Sequence, residues 1–329
     1  MLNIKIKSIG TYIPKTTVTS GELEKTHNIP KGWIEKSTGI KTRRYINFED
    51  ENMITAGAGA AREALKNANC KIEEVDCIIS ASASKYRPIP CTASFMLKEL
   101  SGDNLPIACF DIDSTCLSFV VALDMMSYAI AAGRYKNVLI ISSECCSCGI
   151  NWNQKESAAL IGDAAAAALI SADDASKILY AKIETFTNGI EYATVRGGLM
   201  MLNPLQYNGE NKEDYLFDMN GRSIYKIASN VLPSFINQAF TETGLTMDDI
   251  KMFIPHQASM LSMKLMQHKL GIPEGKMKYI IQDYGNSVAA SIPLALKIAI
   301  DEGEIKRGDK VMLLGTSAGL SVGVMILEY

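Results

Sequence analysis

Cys116 lies on a segment, Asp111–Phe119, where one pattern of apolar residues gives way to another. Residues 106–112 are typical of a short buried strand, and residues 119–132 are small and apolar on a helical period that ends at Gly133. A cysteine on such a turn places its sulfur at the positive end of the helix, which lowers the thiol pKa and makes the thiolate a nucleophile. The alternative is a small buried cysteine without chemistry, which is the commoner situation for a cysteine considered alone.

Two polar residues of the C-terminal half favour the nucleophile. His256 follows the apolar segment 252–255 and precedes a helical segment rich in Met and Leu, and Asn286 lies just before another predicted helix. A histidine considered alone is more often a structural residue with satisfied hydrogen bonds. A neutral imidazole and a carboxamide can nevertheless each donate a hydrogen bond to a developing oxyanion, so the two side chains fit chemistry at a nearby thiol.

The composition excludes several classes of function. The chain has 329 residues, is 47% hydrophobic and carries a net charge of −3, so no overall field favours nucleic acid or an anionic membrane. Residues 2–7 alternate like an amphipathic strand rather than a signal peptide, and the longest apolar run, residues 164–170, is too short to span a bilayer. We therefore expect a cytoplasmic protein whose eight cysteines are reduced thiols.

The elements that must position these residues occur twice along the chain. In residues 72–79 and again in residues 247–254, an acidic pair at a turn precedes an apolar strand. A helix followed by glycine and an apolar strand occupies residues 122–141 and again residues 295–314. Both repeats are offset by about 170–175 residues, which predicts two pseudo-symmetric α/β halves.

We expect the first half to span residues 1–174 and to carry the nucleophile. The second half, residues 175–329, would carry the histidine and the asparagine. Cys116 and Asn286 each precede one of the matching helices, so equivalent turns should face each other across one cleft at the carboxyl ends of strands.

Five ordered motifs resemble those of the β-ketoacyl-[acyl-carrier-protein] synthase III family, the initiating condensing enzymes of the thiolase superfamily. They are Trp33-Ile34 with Thr38-Gly39-Ile40, Gly162-Asp163-Ala164-Ala165-Ala166-Ala167, Met219-Asn220-Gly221-Arg222, Pro255-His256-Gln257-Ala258, and residues 284–293. The resemblance runs essentially from end to end. It implies a thiolase-like five-layered αβαβα fold, a homodimer, and no metal or resident cofactor.

The resemblance also implies a reaction. The Cys116 thiolate would take an acyl group from acyl-CoA, and a malonyl thioester on acyl carrier protein would then lose carbon dioxide and attack the acyl-cysteine. His256 and Asn286 would stabilise the enolate, and the backbone N–H groups of Cys116 and Ala318 would form the second oxyanion hole. The last cysteine is Cys148, which argues against degradative thiolases because these use a second cysteine near the C-terminus.

The resemblance implies a substrate-binding set as well, and this set departs from the family pattern. Its members are Trp33, Ile89, Lys155, Phe217, Gly221 and Arg222. Lys155 stands where the family has an adenine-stacking arginine, Leu261 where it has a carrier-docking arginine, and Ile89 where the fatty-acid enzyme has phenylalanine. We therefore expect the same type of reaction, and the departures leave the acyl group open.

Two other functions remain open. One is acyl transfer to an oxygen, nitrogen or carbon acceptor in a specialised pathway without decarboxylation, with His256 as general base when the acceptor is an oxygen or nitrogen. The other is a non-catalytic paralogous subunit that supports a catalytic partner. The Cys145-Cys146-Ser147-Cys148 segment has a C-x-x-C spacing, but it lacks a second ligand pair at metal-binding spacing, so we interpret it as packing beside the acyl pocket.

Overall fold

The computed structural model describes residues 1–103 and 105–329. The strands of this part of the chain are β1 (Ile4–Tyr12), β2 (Thr16–Thr19), β3 (Thr42–Tyr45), β4 (Cys77–Ser80), β5 (Ala108–Asp111), β6 (Asn137–Glu144), β7 (Ala164–Ala172), β8 (Lys177–Thr185), β9 (Ala193–Thr194), β10 (Asp218–Met219), β11 (Met252–Pro255), β12 (Lys310–Ser317) and β13 (Ser321–Glu328). The helices are α1 (Ser20–Thr26), α2 (Trp33–Thr38), α3 (Met53–Asn67), α4 (Thr92–Ser101), α5 (Ser118–Ala131), α6 (Lys155–Ala158), α7 (Gly221–Thr243), α8 (Met260–Leu270), α9 (Ile281–Tyr284) and α10 (Ser291–Asp301).

Two mixed sheets form the framework. The first has the order β1-β7-β6-β4-β5, in which β5, β4 and β6 are parallel and β7 runs antiparallel to both its neighbours. The second has the order β11-β12-β13-β8, in which β11 and β12 are parallel and the other pairs antiparallel. Two short antiparallel pairs, β2-β3 and β9-β10, lie outside these sheets.

The helices and sheets stack in five layers. Helices α5 and α10 pack between the two sheets in one continuous core. Helices α3 and α4 cover the outer face of the first sheet, and α7 and α8 cover the outer face of the second. Strand β7 shows why the layers form: its residues alternate between the central core and the outer core, so both faces of the strand are apolar. The prediction of a five-layered αβαβα fold is confirmed.

The strand that precedes Cys116 differs from the prediction. Strand β5 lies at the edge of the first sheet, and its residues alternate between exposed and partly buried rather than being buried throughout. The prediction of a buried strand is therefore wrong, because the sheet ends at this strand. Phe110 on β5 remains 37% exposed, and the neighbouring helix α5 exposes Met125 and Tyr128.

The acidic turns of the two sequence repeats adopt the same local structure. Residues Ile72–Glu74 and Met247–Asp249 each form a 3-10 turn that leads into a parallel strand, β4 or β11. In the described residues no helix is both long and apolar enough to cross a bilayer.

Candidate active site

One cavity of about 1150 Å³ brings the predicted reactive residues together. Cys116 from the turn before α5, His256 from the end of β11 and Asn286 from the turn before α10 all line it. Ala318, from the turn between β12 and β13, lines it as well. A thiol, an imidazole, a carboxamide and the turn between β12 and β13 therefore line one cavity.

The turn that presents Cys116 is strained in a defined way. A 3-10 turn, Thr115–Leu117, joins directly to α5, and Thr115 has a φ of 46°, in the left-handed region that side chains other than glycine seldom adopt. The Asp113 carboxylate accepts a hydrogen bond from the Thr115 N–H at 2.9 Å, and Ser118 Oγ accepts one from the Ser114 N–H at 2.9 Å. These side-chain bonds hold the turn that directs the thiol into the cavity.

The thiol itself does not behave as the helix-start argument predicts. Burial, together with the nearby Glu144 carboxylate, raises the pKa of Cys116 to about 12. The prediction of a lowered thiol pKa is therefore wrong for the free enzyme, because desolvation of the thiolate outweighs the field of the helix start. The first full turn of α5 also begins only at Ser118, beyond the thiol.

Two backbone donors lie next to the sulfur. The N–H groups of Cys116 and Ala318 both lower the thiol pKa, against the larger effect of burial. The Thr115 hydroxyl lies 3.5 Å from the Ala318 carbonyl oxygen and ties the two turns together. Two N–H groups that approach one atom from two different turns form the geometry of an oxyanion hole.

His256 is held as a neutral imidazole. It is 5% exposed, and burial lowers its pKa to about 4. Its backbone N–H donates to the Leu314 carbonyl at 2.8 Å, and the close approach of β12 requires Gly315, where a Cβ would lie 2.7 Å from the His256 Cβ. The imidazole thus has a fixed position and carries no charge at neutral pH.

Ser291 contacts one nitrogen of the His256 imidazole. Ser291 Oγ lies 2.7 Å from His256 Nδ1 and accepts a hydrogen bond from the Gln257 N–H at 3.4 Å. The hydroxyl can donate its own proton to Nδ1 or accept the proton of Nδ1, because its oxygen has two lone pairs. When Ser291 donates, the imidazole proton resides on Nε2, and this nitrogen acts as a hydrogen-bond donor.

Asn286 is fixed by the backbone of residues 160–162, just before β7. Its N–H donates to the Leu160 carbonyl at 2.7 Å, and its carbonyl accepts from the Gly162 N–H at 3.0 Å. Glycine is required at position 162 because a Cβ there would lie 2.1 Å from the Tyr284 carbonyl oxygen. Asn286 Oδ1 accepts from the Val288 N–H at 2.9 Å, which leaves the amide NH2 as the donor.

The predicted substrate-binding residues occupy three positions relative to the cavity: lining it, next to it and apart from it. Trp33, Phe217, Gly221 and Arg222 line the cavity. Lys155 stands next to it, with Nζ 4.7 Å from the centroid of the Trp33 ring, so an ammonium group covers one face of the indole. Ile89 is 84% exposed and lies apart from the residues that line the cavity.

Sequence reasoning missed two residues near this site. Ser291 is separated from His256 by 35 positions, and its hydroxyl gives no signal of its own beside Ser287 in the same motif. Glu144 ends β6 and is fully buried beside the cysteine-rich turn, although an acidic residue at a strand end is usually solvated. A buried carboxylate becomes visible only when the packing around it is known.

The five-layered fold and this site together define a class of protein: thiolase-fold enzymes that transfer acyl groups through a cysteine. Residues 110–189 and 240–329 match the family profiles described as 3-oxoacyl-[acyl-carrier-protein (ACP)] synthase III and its C-terminal part. The chain is 35% identical over 330 residues to a β-ketoacyl-[acyl-carrier-protein] synthase III of Campylobacter jejuni. The alignment covers 100% of this chain and 98% of the relative.

Solved structures agree with this assignment. The 3-oxoacyl-[acyl-carrier-protein] synthase III of Aquifex aeolicus has a TM-score of 0.88 at 32% identity and covers 99% of this chain and 100% of its own. The priming β-ketosynthase of a polyketide biosynthetic pathway has a TM-score of 0.90 at 26% identity and covers 98% of this chain and 95% of its own. The chain belongs to the 3-oxoacyl-[acyl-carrier-protein] synthase III family.

Proposed function

We propose that this enzyme condenses an acyl group from acyl-CoA with a malonyl group on acyl carrier protein, with loss of carbon dioxide, to give a 3-oxoacyl thioester. The observation that carries the proposal is the single cavity shared by Cys116, His256 and Asn286. The relatives named above are β-ketoacyl-[acyl-carrier-protein] synthases, which agrees with this reaction.

In the first half-reaction, the sulfur of Cys116 attacks the carbonyl carbon of the acyl thioester. A bond from sulfur to carbon forms, the bond to the departing thiol breaks, and the proton of Cys116 ends on that thiol. The N–H groups of Cys116 and Ala318 lie next to the sulfur in the free enzyme. In this step they stabilise the oxyanion of the tetrahedral intermediate.

In the second half-reaction, the malonyl carboxylate leaves as carbon dioxide and its electrons form an enolate. The enolate oxygen accepts hydrogen bonds from His256 Nε2 and from the Asn286 amide. The enolate carbon attacks the acyl-cysteine, and the released Cys116 thiolate takes one proton from solvent. A neutral imidazole suits this step because it donates a hydrogen bond without protonating the carbanion.

The structure also supports a proposal about assembly. Among the described residues β5 pairs only with β4; it exposes Phe110, and the following helix α5 exposes Met125 and Tyr128. We propose that a second copy covers this strand edge and these side chains and that the enzyme is a cytoplasmic homodimer.

Carbon dioxide release tests the proposed reaction. The wild-type enzyme, given acyl-CoA and malonyl-acyl carrier protein labelled in the free carboxyl group, should release one labelled carbon dioxide for each 3-oxoacyl product. The competing function, acyl transfer to an oxygen or nitrogen acceptor, releases none. Acylation of Cys116 without carbon dioxide release would therefore overturn the condensation and favour simple transfer.

A further inference from the structure

Glu144 accepts hydrogen bonds from Ala83 and Ser84, a segment that takes no direct part in the proposed reaction. The residue ends β6 and is 0% exposed. Its Oε1 accepts a hydrogen bond from the Ala83 N–H at 2.7 Å, and its Oε2 accepts from the Ser84 N–H at 3.2 Å and from Ser84 Oγ at 2.7 Å. One carboxylate thus holds two consecutive peptide groups just after β4.

That segment is a wall of the cavity. Ala83, Ser84, Lys85 and Tyr86 line the same space as Cys116. Cys146 lines it too, and its Sγ lies 3.6 Å from Glu144 Oε2. Glu144 therefore lies behind the wall and joins two of its segments, although its own atoms do not line the cavity.

The carboxylate has no positive partner. Among the described residues, no lysine, arginine or histidine forms an ion pair with Glu144, and the titratable groups that face it are the thiols of Cys116, Cys145 and Cys146. Burial raises the pKa of Glu144 to about 7, and hydrogen bonds from Ser84 and Ala83 oppose the rise. Two other buried carboxylates lie nearby: Asp163 holds Ser147 and faces Cys145, Cys146 and Cys148, and Glu51 faces Cys145.

We propose that Glu144 is a positioning residue for the acyl-transfer step, which fixes the cavity wall next to Cys116. This inference rests on the proposed function. Because the bonds of Glu144 to Ala83 and Ser84 set where the wall lies, they determine which acyl chains fit beside the nucleophile. The charge of the same carboxylate raises the pKa of the Cys116 thiol, so ionisation of the thiol is a second readout of Glu144.

Two substitutions separate the wall from the charge. Glu144→Gln keeps the size of the side chain but removes the charge and turns an NH2 group toward backbone donors. Glu144→Asp keeps the charge and draws the carboxylate back by one methylene. The matched control is Asp111→Asn, since Asp111 also accepts from two consecutive backbone N–H groups, those of Thr92 and Ala93, away from the cavity lining.

Two measurements are made on each protein. The first is the ratio of kcat/KM for acylation by octanoyl-CoA and by acetyl-CoA, which we expect to change about tenfold in both Glu144 variants because a displaced wall alters contacts with the longer chain. The second is the pH of half-maximal alkylation of Cys116 by iodoacetamide, read by peptide mass spectrometry. That pH should fall in Glu144→Gln, where the repelling charge is gone, and stay near the wild-type value in Glu144→Asp.

The outcomes are decisive in both directions. A purely structural role would lower the melting temperature but leave the chain-length ratio and the alkylation midpoint as they are in the wild type and in Asp111→Asn. An unchanged ratio or an unchanged midpoint in folded Glu144→Gln overturns the proposal; if that variant does not fold, an unchanged ratio in Glu144→Asp does so. If no acyl thioester acylates the wild-type enzyme, the proposed function fails, whereas the alkylation midpoint still tests the effect of Glu144 on Cys116.

Discussion

The turns before α5 and α10 use the same backbone device. In each, one residue other than glycine adopts a left-handed conformation, Thr115 with a φ of 46° and Val288 with a φ of 47°. In each, a side chain two positions earlier accepts a hydrogen bond from the N–H of that residue at 2.9 Å, Asp113 in the first turn and Asn286 in the second. Each turn then continues through a 3-10 turn into a helix between the sheets.

The two turns differ in the side chain that reaches the cavity. After the left-handed residue, the first turn has Cys116 and the second has Ala289, which is fully buried in the core. Conversely, Asn286 lines the cavity, whereas its counterpart Asp113 is exposed outside it. The same local structure thus presents a thiol from one position of the turn before α5 and an amide from another position of the turn before α10, so the proposed reaction needs both turns.

The largest effect on activity should come from exchanging the amide and carboxylate side chains at positions 286 and 113. Asn286→Asp keeps the oxygen that accepts from Val288 but replaces the NH2 donor with a carboxylate, so malonyl decarboxylation should fall by about 10²–10³. Asp113→Asn keeps the equivalent oxygen and should leave decarboxylation within about twofold of the wild type. Carbon dioxide release measures both, and equal losses in the two variants would contradict the division of roles between the turns.

The second turn should also affect the pH dependence of stability, because its Ser291 holds His256. The folded pKa of about 4 lies below the ordinary value of 6.5, so between these pH values the unfolded chain binds a proton that the folded chain does not. The contribution of His256 to stability therefore rises with pH across this window, by roughly 3 kcal/mol in total, whereas buried Glu144, whose pKa is raised to about 7, contributes in the opposite direction. His256→Asn removes the titration, and denaturant unfolding from pH 4 to 6.5 should show wild type gaining on the variant; parallel curves would contradict a buried neutral imidazole.

A smaller effect on stability and decarboxylation is expected at Gly162, where the segment before β7 packs against the turn before α10. Gly162→Ala places a Cβ against the Tyr284 carbonyl, and it should destabilise the protein by about 1–3 kcal/mol and impair decarboxylation more than acylation, because Asn286 is bonded to this segment. Gly21→Ala is the control, since a Cβ there meets nothing within 4 Å. Its stability should change by no more than about 1 kcal/mol. Equal melting temperatures for the two variants would contradict the tight junction.

Much of the fold could be predicted because its signals are local. Acidic turns and apolar strands mark both repeats, and the helix ends near Gly133 and Gly303 are punctuated by glycine, so α5, α10, β4 and β11 could be placed from pattern alone. The exposure of β5 could not, because the same apolar run serves equally in the centre or at the edge of a sheet. Only the strand order distinguishes these two positions.

For the site as well, motifs identify the reactive residues, whereas packing sets the thiol pKa and the role of Glu144. Cys116, His256 and Asn286 could be identified from motifs, and the structure places all three around one cavity. The direction of the thiol pKa shift depends on burial by distant parts of the chain and on Glu144, which a helix-start argument omits. Glu144 acquires its role through contacts with residues about 60 positions away, which no local pattern encodes.

Intact-protein mass spectrometry after incubation with acyl-CoA shows whether Cys116 alone carries the acyl group. Three proteins are compared: the wild type, Cys116→Ala, and the double variant Cys116→Ala with Ala289→Cys, which places a thiol at the matching position of the other turn. We predict one added acyl group on the wild type and none on the two variants, with melting curves confirming that both are folded. An acyl group bound to Cys116→Ala would rule out Cys116 as the sole nucleophile.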